Sequence, residues 1–335
     1  MRLMQVRRNW LAASGLAALL LIAGCGGSGT SGTSVGGTGS ATGSATGPEK
    51  THITVAALPI VDDAPLFLAI KKGYFTQQGL TVTPELVAQS TLALPDLLHG
   101  SVDVVGGGNY VSYFEGQAKG TFSLRLLVAG TACKASSFGI VAMPGSGISS
   151  PAGLAGKTVA VNLTNNIQTL TANAVLKADG VNTATVKYVA IPFPDMAAAL
   201  KAGRVNAISV VEPFLSGAEH SLGARQVVSE CTGPTANLPL SGYFATQAWT
   251  RKYPKTARAF QRAMARAQAF ADANPAAVKQ ILPTYTKITV QAAGGITLGS
   301  FPATTVAAQL QRVADLMRSG GLLTSPFSVQ PMLFH

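Results

Sequence analysis

The sequence predicts an α/β protein built from two similar lobes. Short apolar segments that read as strands alternate with helical patterns through residues 52–105, and this alternation is typical of a parallel sheet. One pattern also occurs twice. DLLHGSVDVV near residue 100 and AALKAGRVNAISVV near residue 205 both read as a helix, a glycine that ends it and a buried strand. About 285 residues follow the N-terminal region, which is enough for two such lobes.

The N-terminal region is expected to lie outside the folded part. Basic residues precede an apolar run of about a dozen residues, which suits a signal peptide and is shorter than a membrane-spanning helix. The run ends in LIAGC, which resembles a bacterial lipobox, so we expect a signal peptide over residues 1–24 and a lipid on Cys25. The alternative is an ordinary signal peptide with an incidental cysteine. Residues 25–48 are rich in Gly, Ser and Thr, and are expected to form a flexible tether.

The folded part begins with a predicted strand over residues 53–57. The helix that follows starts at Pro65 and ends before Gly73, because proline suits the first turn of a helix and glycine the position after its last turn. The alternation then continues with a strand near residues 80–87, a helix over residues 92–98 and a strand over residues 102–105.

Composition argues against several functional classes. The net charge is +11, yet only 12% of residues are charged, and no cluster of Lys and Arg is interleaved with aromatic residues. We therefore expect no nucleic-acid partner. The four histidines are scattered, and neither a metal-binding motif nor a catalytic Ser–His or Cys–His pair stands out. We expect no metal, no cofactor and no catalytic residues.

The candidate binding residues follow the predicted strands, because ligands of open parallel sheets bind at the carboxyl ends of the strands. The carboxylates among them suit a cationic or N–H-donating end of a ligand, whereas asparagines at helix N-termini suit an anionic end. In the alternative interpretation, the aspartate before the first helix and the asparagines cap helices, and the aromatic residues belong to the core. The candidates are Asp62, Asp63, Asn109, Tyr110, Asn165, Asn166, Glu212 and Phe214.

Five segments together resemble the substrate-binding lipoproteins of bacterial ABC importers. They are APLFLAIKKGYFTQQGLTV, DLLHGSVDVV, GLAGKTVAV, AALKAGRVNAISVVEPF and QRVADLMRSGGLLTSP. The group that they resemble binds aliphatic sulfonates, taurine, nitrate or the pyrimidine precursor of thiamine. The resemblance covers about residues 52–331, and it departs from the family pattern at Asn206, where the family usually has Asp.

This resemblance implies a periplasmic-binding-protein fold, in which two crossover segments join two α/β lobes around a ligand cleft. Residues 49–140 and 241–335 would form lobe I, and residues 141–240 would form lobe II. The apolar segments SFGIVAM and GYFATQAW are expected to be the crossovers. Cys133 and Cys231 precede these segments by several residues, so we predict a disulfide between them, as an exported location allows.

The resemblance implies a monomeric, extracytoplasmic binding protein, anchored to the membrane through Cys25, that delivers a small polar solute to an ABC permease and its ATPase. Amide donors on one side of the cleft and carboxylates on the other favour a two-ended solute. A taurine-like amino-sulfonate is the first candidate, and an aminopyrimidine is the second. A lipoprotein that presents its ligand to a sensor remains an alternative. An enzyme is disfavoured, because the cysteine-rich motif of a eukaryotic relative is missing from the sequence.

Overall fold

The computed structural model describes residues 47–335, so the predicted signal peptide, Cys25 and nearly all of the tether lie outside the described residues. The strands of the described part are β1 (His52–Ala57), β2 (Thr81–Leu86), β3 (Val104–Asn109), β4 (Leu124–Ala129), β5 (Phe138–Ala142), β6 (Thr158–Val161), β7 (Lys187–Ala190), β8 (Ala207–Val211), β9 (Arg225–Ser229) and β10 (Ser241–Thr246).

The α-helices of the same part lie mostly between these strands. They are α1 (Ala64–Lys71), α2 (Leu94–His99), α3 (Tyr110–Ala118), α4 (Ile167–Ala178), α5 (Phe193–Lys201), α6 (Phe214–Leu222), α7 (Gln247–Lys252), α8 (Pro254–Ala273), α9 (Pro275–Ile281), α10 (Val290–Gly295) and α11 (Ala307–Ser319).

Two five-stranded sheets of matching topology form the framework of the two lobes. The strand order is β2-β1-β3-β10-β4 in lobe I and β7-β6-β8-β5-β9 in lobe II. In each sheet the first three strands are parallel, and the fourth, β10 or β5, runs antiparallel to both of its neighbours. The predicted α/β class with two similar lobes is confirmed, although each sheet is mixed, because a strand that follows a crossover enters from the opposite direction.

The chain passes between the lobes at residues 130–137 and 230–240, which join β4 to β5 and β9 to β10. The prediction that SFGIVAM and GYFATQAW form the crossovers was therefore wrong, because most of each segment is a strand. The apolar residues of β5 and β10 are buried between neighbouring strands, which is a more favourable place for them than an exposed connection.

The predicted disulfide is confirmed. Cys133 and Cys231 are bonded, with their Cα atoms 5.1 Å apart and a sequence separation of 98. Each cysteine lies within one of the two crossovers, so the bond ties these segments to each other.

The repeated sequence pattern performs the same task in both lobes. In lobe I, Asp103 accepts a hydrogen bond from the backbone amide of Thr54 at 3.0 Å, which joins the start of β3 to β1. In lobe II, Asn206 accepts the corresponding bond from Thr158 at 2.8 Å and joins β8 to β6. Asp103 also accepts a bond from the Trp249 indole N–H. The departure from the family pattern at Asn206 thus lies at the ends of the strands opposite to the candidate site.

One part of the core of lobe I lies between its sheet and α8, where Phe260 and Met264 are fully buried against Tyr243 of β10. The opposite side of α8 carries a row of arginines, of which Arg266 lies over the Tyr74 ring at 4.1 Å. Within residues 47–335, no helix has both the length and the hydrophobicity that crossing a bilayer requires.

Candidate functional site between the lobes

A cavity of about 40 Å³ lies between the lobes, at the carboxyl ends of the parallel strands. This is the edge of the sheets where the sequence pattern predicts a ligand. The volume has room for only a few water molecules, so the lobes are closed on each other in this structure. The lining residues that carry polar side chains are Asp62, Ser90, Asn109, Asn162, Asn166, Gln168 and Ser241.

Hydrogen bonds between the lobes lie on both sides of the cavity. On one side the Gln89 side-chain amide of lobe I donates to the backbone oxygen of Asn162 in lobe II at 2.5 Å. On the other side the Val61 amide of lobe I donates to the Glu212 carbonyl oxygen at 3.0 Å. The Thr297 amide of lobe I donates to Glu212 Oε1 at 3.1 Å. Together these bonds hold the lobes in the closed arrangement.

Asp62 is a buried carboxylate at the wall of the cavity. Its Oδ2 accepts hydrogen bonds of 2.5 Å from the hydroxyls of Thr131 and Ser241. Burial raises the pKa of Asp62, and the two hydroxyl bonds partly oppose that rise. No Lys, Arg or His is among the described residues that line the cavity. A ligand with a positive charge or an N–H group would therefore meet a carboxylate that has no cationic partner.

Asp63 lies beside this wall but points away from the cavity. Its Oδ2 accepts a bond from the Leu58 amide at 2.7 Å. Its Oδ1 lies against Gly106, where a Cβ atom would come within 2.5 Å of it. Burial is the largest cause that raises the pKa of Asp63 to about 7, and the charge of Asp62 adds to it. The alternative interpretation that the Asp63 side chain caps α1 is wrong, because it makes no capping bond.

Two of the predicted asparagines line the cavity and also cap helices. Asn109 Oδ1 accepts a bond from the Ser112 amide at the start of α3. Asn166 Oδ1 accepts bonds from the Gln168 and Thr169 amides at the start of α4. The capping interpretation is thus confirmed for both residues. Asn165, the third candidate, is exposed and faces a separate groove between α4 and α11.

Glu212 lies at the contact between the lobes, beside a narrow space of about 10 Å³. Its Oε1 accepts a bond from the Ser216 hydroxyl at 2.6 Å in addition to the bond from Thr297. Its Oε2 accepts a bond from the Ser216 amide at 3.1 Å. Burial raises the pKa of Glu212, and these bonds oppose the rise. Donors within the protein therefore already occupy both carboxylate oxygens.

The two aromatic candidates lie outside the cavity. Tyr110 is fully buried in the core of lobe I, where its ring packs against Phe114 and Phe244. Phe214 stacks on Phe193 with a centroid distance of 5.4 Å and lines an apolar groove next to the cavity. Only Phe193 is shared between the groove and the cavity.

Sequence reasoning missed four polar residues of the cavity wall. Asn162 directly follows the strand KTVAV, so its position at a strand end was a usable signal. Ser90 follows the parallel strand β2 and so carried the same signal, whereas Ser241 gave none, because it begins the antiparallel strand β10. Gln168 lies inside α4, and no spacing rule distinguishes it from a surface residue.

The fold and the closed cavity between its lobes define a protein of the periplasmic-binding-protein class. The family model described as NMT1/THI5 like matches residues 61–278. The chain therefore belongs to that family. Among curated proteins, none is significantly similar in sequence to this chain.

Solved structures share the fold. The alkanesulfonate-binding protein SsuA from Xanthomonas axonopodis pv. citri, bound to MOPS, is 18% identical with a TM-score of 0.69, over 85% of this chain and 98% of that one. The periplasmic nitrate-binding protein NrtA from Synechocystis PCC 6803 is 17% identical with a TM-score of 0.71, over 85% of each chain. The desulfurization enzyme DSZB is 18% identical with a TM-score of 0.61, over 85% of this chain and 96% of that one.

Proposed function

We propose that the protein is the solute-binding component of an ABC importer. It would capture a small polar organic solute between its lobes and deliver it to a permease and its ATPase. Family membership, the shared fold and the closable cleft support this proposal. We further propose that the protein acts as an extracytoplasmic monomer, held at the membrane by a lipid on Cys25 and reaching the permease on its tether.

The observation that carries the choice of solute is the Asp62 carboxylate. A buried carboxylate without a cationic partner is unfavourable, and a ligand ammonium or ring N–H would provide the missing partner. A simple anion would instead add a second negative charge beside the first. The solved relatives are named for an alkanesulfonate and for nitrate, both of which are anions. An N–H-donating end would therefore distinguish the solute of this protein from those two anions.

The opposite side of the cavity supplies neutral side-chain amides from lobe II. Those of Asn162 and Asn166 each keep one N–H for a solute, whereas the N–H₂ group of Gln168 donates to Ser209. Amide N–H groups can donate to a sulfonate oxygen or to a ring nitrogen, so the two-ended model keeps both candidates. A taurine-like amino-sulfonate is the first of these and an aminopyrimidine the second. Glu212, a candidate from the sequence, is not among the proposed solute contacts, because its oxygens already accept three hydrogen bonds from the protein. We propose that Glu212 holds the lobes together.

A thermal-shift comparison of matched ligands tests the proposal. Taurine and ethanesulfonate differ only by an amino group, so the pair isolates the contribution of the N–H-donating end. Taurine or an aminopyrimidine should raise the unfolding midpoint by mass action, whereas ethanesulfonate and nitrate should raise it far less. Equal stabilisation by ethanesulfonate and taurine, or a strong effect of nitrate, would contradict the role given to Asp62.

Catalysis is the competing class, since the fold also includes an enzyme. We propose binding without turnover. The protein should therefore return its solute chemically unchanged, and mass spectrometry of the recovered solute after prolonged incubation checks this. A changed mass would favour an enzyme. Loss of solute uptake when the neighbouring permease is deleted would support import over presentation of the ligand to a sensor.

A further inference from the structure

A second buried carboxylate lies in lobe II, where neither the sequence nor the proposed function assigns it a role. Glu230 follows β9 directly and opens the second crossover, next to the disulfide-bonded Cys231. Its side chain is completely buried. Its Oε1 accepts a hydrogen bond from the Ser209 hydroxyl and its Oε2 accepts one from the Thr171 hydroxyl, both at 2.6 Å. Neither ion pair of residues 47–335 involves Glu230.

A chain of hydrogen bonds leads from Glu230 to the cavity. The Gln168 side-chain amide donates to the Ser209 hydroxyl at 3.3 Å and to the Ser209 carbonyl oxygen at 2.6 Å. Gln168 Oε1 then accepts bonds from the Asn162 backbone amide at 2.7 Å and from Asn166 Nδ2 at 2.9 Å. Ser209 thus stands between Glu230 and Gln168, which lines the cavity.

The main chain sets which way the Gln168 amide faces, because the Ser209 carbonyl oxygen can only accept and the Asn162 amide can only donate. This leaves the second N–H of Gln168 to be satisfied by the Ser209 hydroxyl oxygen. Because Glu230 accepts the Ser209 proton, a lone pair of that hydroxyl is left to face Gln168. A charged acceptor also strengthens the bonds that it receives.

We propose that Glu230 is a positioning residue of the solute site: it orients the Ser209 hydroxyl so that its oxygen accepts the second N–H of Gln168, and it thereby strengthens the orientation of the Gln168 amide that the main chain sets. The importance of this orientation for solute capture rests on the proposed function. The orientation itself does not, and it can be measured without any solute.

Protonation of Glu230 provides a way to test this chain of hydrogen bonds. Burial raises the pKa of Glu230 to about 8, and the bonds from Ser209 and Thr171 oppose the rise. Thr171 can turn its hydroxyl toward the Ile167 carbonyl oxygen, which lies 2.7 Å away, and can then accept a proton from Glu230. Ser209 can therefore remain a donor to Glu230 in both states, and only the charge behind it changes. Among the described residues, Tyr188 is the titratable group whose pKa responds to this charge. Burial, and then the charge of Glu230, raise the pKa of Tyr188 above its ordinary value.

Two variants form a matched pair. Ser209→Ala and Thr171→Val each remove one hydroxyl from the Glu230 carboxylate, and both positions are fully buried. The Ser209 hydroxyl contacts the Gln168 side chain, whereas the Thr171 hydroxyl reaches only the Gln168 main-chain oxygen, at 3.2 Å. A purely structural role of Glu230 predicts similar effects of both changes on the cavity. A positioning role predicts that only Ser209→Ala disturbs Gln168.

The experiment follows the side-chain amide signals of Gln168 in ¹H–¹⁵N NMR spectra of the solute-free protein, from about pH 6 to about pH 10. In the wild type these signals should move with a single midpoint near the pKa of Glu230. Glu230→Gln should abolish that step and keep the signals close to their low-pH positions. In Ser209→Ala the exchange of the Gln168 side-chain amide hydrogens with water should be about tenfold faster, as expected when one hydrogen bond is lost. In Thr171→Val it should stay within about twofold of the wild type.

Gln168 signals that do not respond to pH in the wild type, or that change equally in both hydroxyl variants, would overturn the proposal. If Ser209→Ala fails to fold, the comparison of the wild type with Glu230→Gln still decides between the two roles. Because no solute is used, failure here leaves the proposed import function standing, and failure of the thermal-shift comparison leaves this proposal standing.

Discussion

Each lobe contains one buried carboxylate that is held by two hydroxyls and has no cationic partner, but the two carboxylates have different surroundings. Asp62 of lobe I, held by Thr131 and Ser241, forms part of the cavity wall. Glu230 of lobe II, held by Ser209 and Thr171, lies behind the wall. The same local arrangement can therefore either leave a charge available to a ligand or orient neutral amides from behind. The difference is whether another polar residue stands between the carboxylate and the cavity.

The two lobes also differ in what they present to the cavity. Among the polar side chains that line the cavity, lobe I contributes the Asp62 carboxylate, two hydroxyls and the Asn109 amide, whereas those of lobe II are all amides. A solute between them would meet an acceptor on one side and groups that can donate or accept on the other. This asymmetry, between two sheets of matching topology, is the physical basis of the two-ended model.

The largest effect should come from breaking the covalent link between the crossovers of the two lobes. Cys133→Ser should lower the free energy of unfolding by about 4 kcal/mol, because the disulfide closes a long loop of the unfolded chain. Urea denaturation of the oxidised protein measures the change. The double variant with Cys231→Ser serves as the control and should be no less stable than the single variant. A loss below about 1 kcal/mol would show that the bond contributes little to stability.

The pH dependence of stability separates Glu230 from Asp63, the buried carboxylate next to Asp62. The pKa of Glu230 is raised in the folded state, so the folded protein binds a proton that the unfolded chain releases at lower pH. The stability that this proton provides is fully present below the unfolded pKa, and it is lost as pH rises through about 8. From about pH 5 to about pH 8 the wild type should lose about 3 kcal/mol relative to Glu230→Gln.

Urea denaturation at several pH values measures this difference between the wild type and Glu230→Gln. Asp63→Asn is the matched comparison, since the pKa of Asp63 is raised only to about 7 and the corresponding loss should be complete about one pH unit earlier. Parallel pH profiles for the wild type and Glu230→Gln would mean that Glu230 is charged throughout the range.

A smaller effect is expected at the contact between the lobes. Glu212→Gln replaces a charged acceptor of three hydrogen bonds by a neutral one, and it should destabilise the closed arrangement by about 1 kcal/mol. Small-angle scattering of the solute-free variant should then show a larger radius of gyration than that of the wild type. Unchanged scattering together with lost affinity for taurine would instead restore Glu212 as a solute contact.

Sequence patterns predicted the fold better than the site, for physical reasons. Alternating strands and helices and the repeated helix–Gly–strand pattern depend on neighbours in sequence, so the two lobes could be predicted. The cavity wall depends on residues that meet only after folding. Ser241 reaches Asp62 from 179 residues away, and Thr131 from 69. Glu212 looked like a ligand contact, because the amide of Thr297 that occupies it could not be located from sequence.

The crossovers show the same limit. The apolar segments SFGIVAM and GYFATQAW were predicted to be the crossovers. Apolar segments, however, bury most of their surface when they become central strands, as β5 and β10 do. The disulfide was nevertheless predicted correctly, because its two cysteines needed only to lie near the returns of the chain between the lobes.

Asp62 is the residue that we propose for the N–H-donating end of the solute, and calorimetry with the taurine and ethanesulfonate pair is the sharpest test of this role. Asp62→Asn keeps the shape of the side chain and removes its charge. This change should weaken taurine binding by about 1.5–3 kcal/mol, as expected for a charge-assisted hydrogen bond. The already weak binding of ethanesulfonate should stay the same or become tighter. Taurine affinity that is unchanged in Asp62→Asn, or equal losses for both ligands, would contradict this role.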